Sequence, residues 1–121
     1  MRRFVNVRGK YGAAKIDTTD GRFDSGLEYK RWLYLKQMQA EGRITGLVRQ
    51  VPYILIPKQY DENGKLIFRE LKYISDFEYT DVSTGEKIVE DTKGIILPIF
   101  KVKQKLMYYI FGIKVTVVRK W

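Results

Sequence analysis

The chain contains neither cysteine nor histidine. Disulfide bonds, thiol nucleophiles and zinc sites built from these two residue types are therefore excluded, as is catalysis with an imidazole base. Acid–base chemistry must come from carboxylates, lysine, tyrosine or a metal-bound water. No apolar run is long enough to span a membrane, and the first dozen residues lack the hydrophobic segment of a signal peptide. We therefore expect a cytoplasmic protein without a membrane partner.

Acidic residues are scarce relative to basic ones, with 14 Asp and Glu against 23 Lys and Arg and a net charge of +9. Such an excess favours a polyanionic partner, because phosphates attract it at long range and release counterions when it binds. A protein that is merely basic is the alternative at this point. With 121 residues, the chain has the size of a single domain with a real hydrophobic core.

The stretch 73–94 predicts two strands joined by a short turn. Aromatic and β-branched residues occupy both halves, and a Ser-Thr-Gly sequence at 83–85 supplies the turn. A hairpin centred between Ser83 and Thr84 places Asp76 opposite Asp91. Two carboxylates therefore meet on one face of the predicted hairpin.

A cation is the natural partner of this carboxylate pair. Side chains alternate along a strand, so Lys93 shares the face of Asp91 while Glu90 points to the other side. Two close carboxylates repel unless a cation neutralises them, and Mg²⁺ prefers carboxylate oxygens plus waters. Lys93 could then hold a phosphate or help to deprotonate an attacking water. The alternative is a solvated hairpin with cross-strand Asp–Lys pairs, which contribute little to stability.

The rest of the chain predicts two helices, a second hairpin and further strands. The helices cover about 26–40 and 98–111, each followed by a glycine that ends it. Their predicted core residues are Leu27, Tyr34, Leu35 and Met38 in the first and Phe100, Leu106, Met107, Ile110 and Phe111 in the second. We also expect a hairpin with an Asp-Gly turn over 14–23 and a parallel last strand over 114–118. The stretch 44–56 contains Pro52 and is either an edge strand or a kinked segment.

Glu28 and Gln50 each have two interpretations. The sequence Ser-Gly-Leu-Glu at 25–28 fits a capping box, in which Glu28 accepts a hydrogen bond from the backbone N–H of the cap residue. In the second interpretation the Glu28 side chain leaves the first helical turn toward the Asp76–Asp91 pair. Gln50 is a polar residue in an apolar stretch, and it either faces solvent or hydrogen-bonds near a metal-bound water.

The spacing D-x14-D-x-K, set on a strand, a turn and a strand, resembles the signature of PD-(D/E)XK nucleases. Asp76 matches the first acid and Asp91-Thr92-Lys93 matches the (D/E)-x-K element, whereas Ser75 stands where the signature usually has proline. Together with the segments FDSGLEYKRW, SDF and EDTKG, nearly the whole chain is similar to a family of small phage and prophage proteins of this type. Some members of that family are regarded as Holliday-junction resolvases.

This resemblance implies a restriction-endonuclease-like α/β fold, in which helices flank a mixed central sheet. The fold would form one nuclease domain over 13–121, after a basic N-terminal arm over 1–12. The resemblance also implies a requirement for Mg²⁺ or Mn²⁺ and a DNA substrate, and it favours Glu28 as a further metal ligand. The residues carried over by motif match are Glu28, Asp76, Asp91 and Lys93, with Gln50 as a possible addition.

The sequence thus predicts a metal-dependent DNA endonuclease that hydrolyses phosphodiester bonds. We expect selectivity for branched DNA, because so small a domain has little area for reading base sequence, and a homodimer that presents two sites to two strands. If phage-encoded, it would act in the cytoplasm of the bacterial host. The alternative is a non-catalytic basic DNA-binding protein of phage recombination or replication. The predicted DNA contacts are Arg2, Arg3, Lys101, Lys103 and Lys105.

Overall fold

In the computed structural model, which describes residues 7–8 and 14–119, four strands form a mixed central sheet in an α/β domain with two helices. The elements, in chain order, are β1 (Val7–Arg8), β2 (Ala14–Thr18), β3 (Gly21–Phe23), α1 (Gly26–Ala40), β4 (Ile44–Ile56), β5 (Gln59–Tyr60), β6 (Leu66–Phe68), β7 (Leu71–Asp81), β8 (Lys87–Thr92), α2 (Pro98–Phe111) and β9 (Thr116–Val118).

The central sheet has the strand order β4-β7-β8-β9. Its first three strands are antiparallel, whereas β9 follows α2 and pairs with β8 in parallel, as the crossover prediction required. The strand β4 lies at one edge of this sheet, where its Pro52 is tolerated because an edge strand needs fewer backbone donors. Two smaller sheets, β1-β2-β3 and β5-β6, complete the described strands.

The hairpin β7–β8 has the register that its turn predicts. Phe77 pairs with Glu90, and the pairing continues from there toward the turn. The ladder begins at this pair, so Asp76 and Asp91 lie immediately beyond its end. On the other side of β7, the ladder with β4 skips Gln50, the residue that would oppose Asp76. At Asp76, therefore, the ladder with β8 ends and the ladder with β4 has a gap of one residue pair.

The hydrophobic core consists of two clusters. The cluster beside α1 contains the buried residues Phe23, Leu35, Ile44, Phe77 and Tyr79, and the cluster beside α2 contains Leu55, Tyr73, Val89, Phe100, Met107 and Val115. Ile88 packs on the first cluster and Val89 belongs to the second, so the two clusters lie on opposite faces of β8. Burial of each large apolar side chain contributes about 1.5–3 kcal/mol, which fixes one helix to each face.

The interruption at Asp76 lets β7 contribute to both clusters. Tyr73 and Phe77 are four residues apart, so strict alternation would place them on the same face. Tyr73 instead belongs to the cluster beside α2 and Phe77 to the cluster beside α1. The irregular backbone at Asp76 therefore changes which side chains of β7 face each helix.

Helix boundaries agree with their sequence signals, whereas three predicted core positions are wrong. The helix α1 begins after the cap residue Ser25, and α2 begins with Pro98 and ends at Gly112, whose φ is 68°. The three predicted core residues that are exposed are Tyr34, Ile110 and Phe111. The Tyr34 ring lies against the guanidinium of Arg31 at the surface, and Phe111 contacts Tyr53 with one side of its ring. The sheet thus covers only part of the last turn of α2.

Of the predicted N-terminal arm, the structure describes the short strand β1, which pairs with the first two residues of β2. Arg2 and Arg3, the predicted DNA contacts of the arm, lie outside the described residues. Within the described part of the chain, neither α1 nor α2 has the length and apolar composition needed to cross a membrane.

Candidate functional site

A cleft of about 470 Å³ opens beside Asp76, where β7 departs from its neighbours. The N-terminal end of α1 forms one wall, and the segment that joins β8 to α2 forms another. Its walls bring together side chains that are far apart in the sequence. The polar side chains that line it are Asp24, Ser25, Glu28, Asp76, Thr92 and Lys93.

Asp76 is the acid that faces this cleft from β7. Its Oδ2 accepts hydrogen bonds from the backbone N–H of Thr92 at 2.7 Å and from the Thr92 hydroxyl at 2.8 Å. Burial nevertheless raises the pKa of Asp76 to about 8, with repulsion from the carboxylates of Asp91 and Glu28 adding to the effect. Without a cation beside it, the Asp76 carboxyl is therefore largely protonated at neutral pH.

Asp91 lies deeper than Asp76 and is 1% exposed. Its Oδ2 accepts a hydrogen bond of 2.6 Å from the Tyr73 hydroxyl, and burial together with the Asp91 charge raises the pKa of Tyr73, so this phenol keeps its proton. Its Oδ1 lies 2.9 Å from Lys93 Nζ. That contact is an ion pair without hydrogen-bond geometry, because Oδ1 has no hydrogen-bond partner.

Lys93 is the residue after β8, and its side chain lies beside that of Asp91, as alternation predicts. Besides its ion pair with Asp91, its ammonium lies 4.6 Å from the centre of the Phe100 ring. The side chain is one-third exposed and lines the cleft. A positive charge is therefore held between the buried carboxylate and the open space of the cleft.

Glu28 lies at the start of α1 and lines the cleft, but it does not accept the predicted hydrogen bond from the N–H of the cap residue Ser25. The Ser25 hydroxyl oxygen accepts a hydrogen bond from the Glu28 N–H at 3.1 Å, and Glu28 Oε2 accepts one of 3.1 Å from the N–H of Asp24, one residue before the cap. The other oxygen, Oε1, has no hydrogen-bond partner and lies 3.6 Å from Arg49 Nη2. Burial raises the pKa of Glu28. One oxygen of this carboxylate caps α1, and the second is available to a ligand.

Gln50 does not line the cleft, and it is exposed on β4. Its φ of 53° is unusual for a residue other than glycine, and such backbone strain is often found beside functional sites. The neighbouring Arg49 of β4 forms an ion pair with Glu28 at 3.6 Å. The Arg49 guanidinium lies 3.6 Å from the centre of the Phe23 ring and donates a 2.8 Å hydrogen bond to the carbonyl of Arg22.

Three residues that contact the acids were not predicted as site residues. Thr92 occupies the variable position of the D-x-K element, and its short polar side chain was the available signal. Arg49 was detectable as a charge inside an apolar stretch. Tyr73 had no such signal, because strict alternation places it with Phe77 on the face opposite Asp76 and Asp91.

The three predicted lysines of α2 do not share one surface. Lys103 lines a depression of about 130 Å³ together with Lys93, so it borders the cleft. Lys101 and Lys105 line a different, shallower surface on the outer side of the helix. Of the three, Lys103 is therefore the one that shares a depression with Lys93.

Among residues 14–119, no group of three or more acidic side chains converges closely enough to form a ready-made metal site. The donor set nevertheless fits a hard divalent cation. Glu28 Oε1 and Asp91 Oδ1 are buried oxygens without hydrogen-bond partners, and burial together with the charges of Asp91 and Glu28 raises the pKa of Asp76. Side-chain movements that brought these oxygens onto one ion would give the kind of ligand set that Mg²⁺ and Mn²⁺ bind.

Comparison with known proteins identifies the family but not its chemistry. No curated protein and no solved structure matches the chain. A family model described as "Protein of unknown function (DUF1064)" matches residues 8–120, and the chain belongs to that family.

Proposed function

We propose that this protein is a metal-dependent DNA endonuclease with a restriction-endonuclease-like fold and a PD-(D/E)XK site. The observation that carries the proposal is the arrangement at the end of the β7–β8 ladder. There Asp76 and Asp91 lie in repulsive range, Lys93 stands 2.9 Å from Asp91, and two buried carboxylate oxygens lack hydrogen-bond partners. A structural hairpin would have no need of this arrangement, because it leaves buried carboxylate oxygens without hydrogen bonds.

Asp76, Asp91 and Glu28 would hold the cation through carboxylate oxygens. When bound, Mg²⁺ or Mn²⁺ would polarise the phosphate and lower the pKa of water in the cleft. Thr92 orients Asp76 through two hydrogen bonds, and Tyr73 orients Asp91 through one. These donors hold the two acids in fixed positions, as metal ligands usually are.

Lys93 would act on the substrate. Its ammonium is exposed to the cleft on one side and held by Asp91 and Phe100 on the other. From this position it can place the attacking water or offset negative charge that builds up on the phosphate. Lys103, which borders the same opening, would contact a neighbouring phosphate.

The preference for branched DNA and the homodimer belong to the same proposal. A net charge of +9 supports binding to DNA. Large apolar side chains are exposed on β4, β7 and the β5–β6 hairpin, and a second copy of the chain could cover them. They include Ile54, Ile67, Phe68 and Ile74. Two sites in one dimer would allow paired cuts in the two strands of a junction. Light scattering would measure the mass of the protein in solution and so test for the dimer.

A non-catalytic DNA-binding protein is the second candidate. It is favoured by the separation of the three carboxylates within 14–119 and by the Thr92 hydrogen bonds that occupy Asp76. A binding protein would use the basic surface and would leave the acids as a remnant.

One experiment separates the two candidates. A labelled four-way junction, a flap, a nicked duplex and a linear duplex are incubated with the protein, with and without Mg²⁺ or Mn²⁺, and Asp76→Asn is the matched control. We expect cation-dependent cuts in the branched substrates, which the Asp76→Asn variant binds but does not cut. Binding without cleavage under every condition would leave the non-catalytic candidate.

A further inference from the structure

The outer side of α2 carries a second surface with a composition unlike that of the cleft. Lys101, Lys105, Tyr108 and Tyr109 follow a spacing that brings side chains to one side of a helix, and they line a shallow groove of about 590 Å³. We call these four residues the α2 stripe. The buried residues of α2, Phe100 and Met107, lie on the opposite side of the helix.

Two features of the α2 stripe are unusual for a solvated helix face. Tyr108 is 64% exposed and Tyr109 is 87% exposed, so two adjacent aromatic rings lie mostly in water. The helix also carries three lysines and no acidic residue. Charge of one sign beside open aromatic rings complements a ligand with phosphates and flat apolar faces.

We propose that the α2 stripe binds a single strand of nucleic acid. Lys101 and Lys105 contact successive phosphates, and the rings of Tyr108 and Tyr109 stack on unpaired bases. Proteins that bind single strands combine these two elements, because every base offers a face for stacking whatever its sequence. A duplex would leave the tyrosines without partners, because its bases are already stacked on one another.

The position of the stripe connects it to the cleft. Leu97, the residue before the first turn of α2, lines the cleft, and Tyr109 lies eleven residues beyond Pro98. At 1.5 Å per residue, the stripe reaches about 16 Å from the cleft along the helix axis. An unpaired strand could therefore run from the cleft along α2 over a few nucleotides. This continuity rests on the proposed function, whereas binding to the stripe itself needs neither metal nor cleavage.

Binding is measured with the full chain and a labelled oligothymidylate in EDTA, beside a duplex of the same length. The double variant Tyr108→Ala/Tyr109→Ala should weaken single-strand binding about tenfold or more, since each lost stack is costly, and should change duplex binding less than twofold. The matched control is Tyr60→Ala, which removes a ring of similar exposure (57%) from β5. This control should bind both oligonucleotides as wild type does.

The lysines are tested through the salt dependence of binding. Lys101→Ala/Lys105→Ala should reduce the slope of log affinity against log salt by about 1.4, because each phosphate contact with a single strand contributes about 0.7. Lys58→Ala/Lys65→Ala removes the same charge from the distant hairpin and should leave the slope unchanged. Equal slopes in both double variants would overturn the proposed phosphate contacts.

Stacking of the tyrosine rings on bases is measured separately, through the fluorescence of an oligonucleotide that contains 2-aminopurine. Its fluorescence should be quenched on binding to wild type and to Tyr108→Phe/Tyr109→Phe, which keeps both rings, and should not be quenched by the alanine pair. A phenylalanine pair as defective as the alanine pair, or an equal loss on single strand and duplex, would overturn the inference. The phenylalanine pair also controls for folding, because its side chains occupy nearly the same volume.

Failure of this inference is distinguishable from failure of the proposed nuclease. If metal-dependent cleavage occurs and the alanine pair binds single strands as wild type does, only the α2 stripe is refuted. If no substrate is cut but the alanine pair loses single-strand binding, the stripe stands and the nuclease proposal fails.

Discussion

Glu90 and Asp91 are neighbours in β8 and equally buried, at 1% exposure each, yet their carboxylates are satisfied differently. Glu90 accepts two hydrogen bonds from Arg31, at 2.9 and 2.7 Å, and a third from the Tyr79 hydroxyl. Asp91 has one hydrogen bond and one ion pair, and its Oδ1 has no hydrogen-bond partner. Both oxygens of the Glu90 carboxylate have hydrogen-bond donors, two of them from one arginine. Asp91 Oδ1 can still accept a hydrogen bond or bind a cation.

The same contrast extends to the other buried acids. Glu78 resembles Glu90, because it accepts hydrogen bonds from Tyr53 at 2.6 Å and Ser75 at 2.9 Å and pairs with Lys87 at 3.1 Å. Glu28 resembles Asp91, since its Oε1 is also buried without a hydrogen-bond partner. The structure thus separates buried acids whose two oxygens both have polar partners, Glu78 and Glu90, from buried acids with one oxygen that lacks a hydrogen bond, Asp91 and Glu28. The two groups should respond to substitution in different ways.

Under the proposed function, the largest expected effect is the loss of DNA cleavage on substitution of Asp91. Asp91→Asn should reduce metal-dependent cleavage by about 10³-fold or more, because it removes a charge that the metal needs. DNA binding should stay intact or become stronger, since a negative charge near the phosphate is lost. Parallel cleavage and binding assays measure both quantities. Cleavage at the wild-type rate in this variant would refute the assignment of Asp91 to the metal.

Glu90→Gln should instead act on stability. It leaves the guanidinium of Arg31 without its carboxylate partner in a mostly buried position, at a cost of about 3–5 kcal/mol in the free energy of unfolding. Urea unfolding measures this loss. Glu90→Gln protein that is still folded should cut DNA at a rate near that of wild type. A large loss of cleavage with unchanged stability would contradict the assignment of Glu90 to the stability of the fold rather than to the site.

Glu28→Gln tests two roles of Glu28 separately, the hydrogen bond at the start of α1 and the proposed metal binding. Glutamine can keep the hydrogen bond to the N–H of Asp24, so stability should change by less than about 1 kcal/mol. The substitution removes the charge of Oε1, and cleavage should fall about 10–100-fold and recover partly at high metal concentration. A metal titration of cleavage and a thermal unfolding curve measure the two effects. Wild-type activity at limiting metal would assign Glu28 to the helix cap alone.

The smallest expected effect is a pH dependence of stability that comes from Asp76. Its folded pKa of about 8 lies above the ordinary value of 3.8, so its contribution to stability is full below pH 4 and is lost as the pH rises toward 8. In EDTA we expect a loss of about 1–3 kcal/mol over this range, less than the whole shift implies because the side chain borders an open cleft.

Two controls test whether Asp76 causes this pH dependence of stability. Asp76→Asn cannot ionise at this position, so its stability in EDTA should vary less with pH than that of wild type. Saturating Mg²⁺ should stabilise wild type more at pH 8 than at pH 5, because the ion binds the deprotonated carboxyl. Chemical denaturation at several pH values measures both. Identical pH profiles for wild type and Asp76→Asn would assign the dependence to other groups.

Short-range signals in the sequence determined the helix boundaries and the hairpin. Ser25 and Pro98 mark where the helices begin, and the Ser-Thr-Gly turn fixes the β7–β8 register to within a residue. That register is sufficient to bring Asp76 and Asp91 to adjacent positions and to place Lys93 with them. These features depend on contacts between residues close in the chain, which capping, turn chemistry and alternation describe.

Only the tertiary structure decided which buried carboxylates have hydrogen-bond donors for both oxygens. Arg31 and Glu90 are 59 positions apart, and their pairing depends on how α1 docks on β8. Tyr73 reaches Asp91 because the β7–β8 ladder ends and the β7–β4 ladder has a gap at Asp76, and no local propensity describes that irregularity. The sequence alone could therefore name the acids of the candidate site. The difference between Glu90 and Asp91, neighbours with similar side chains, arises from long-range packing, because hydrogen-bond partners of buried groups come from whichever elements the fold brings beside them.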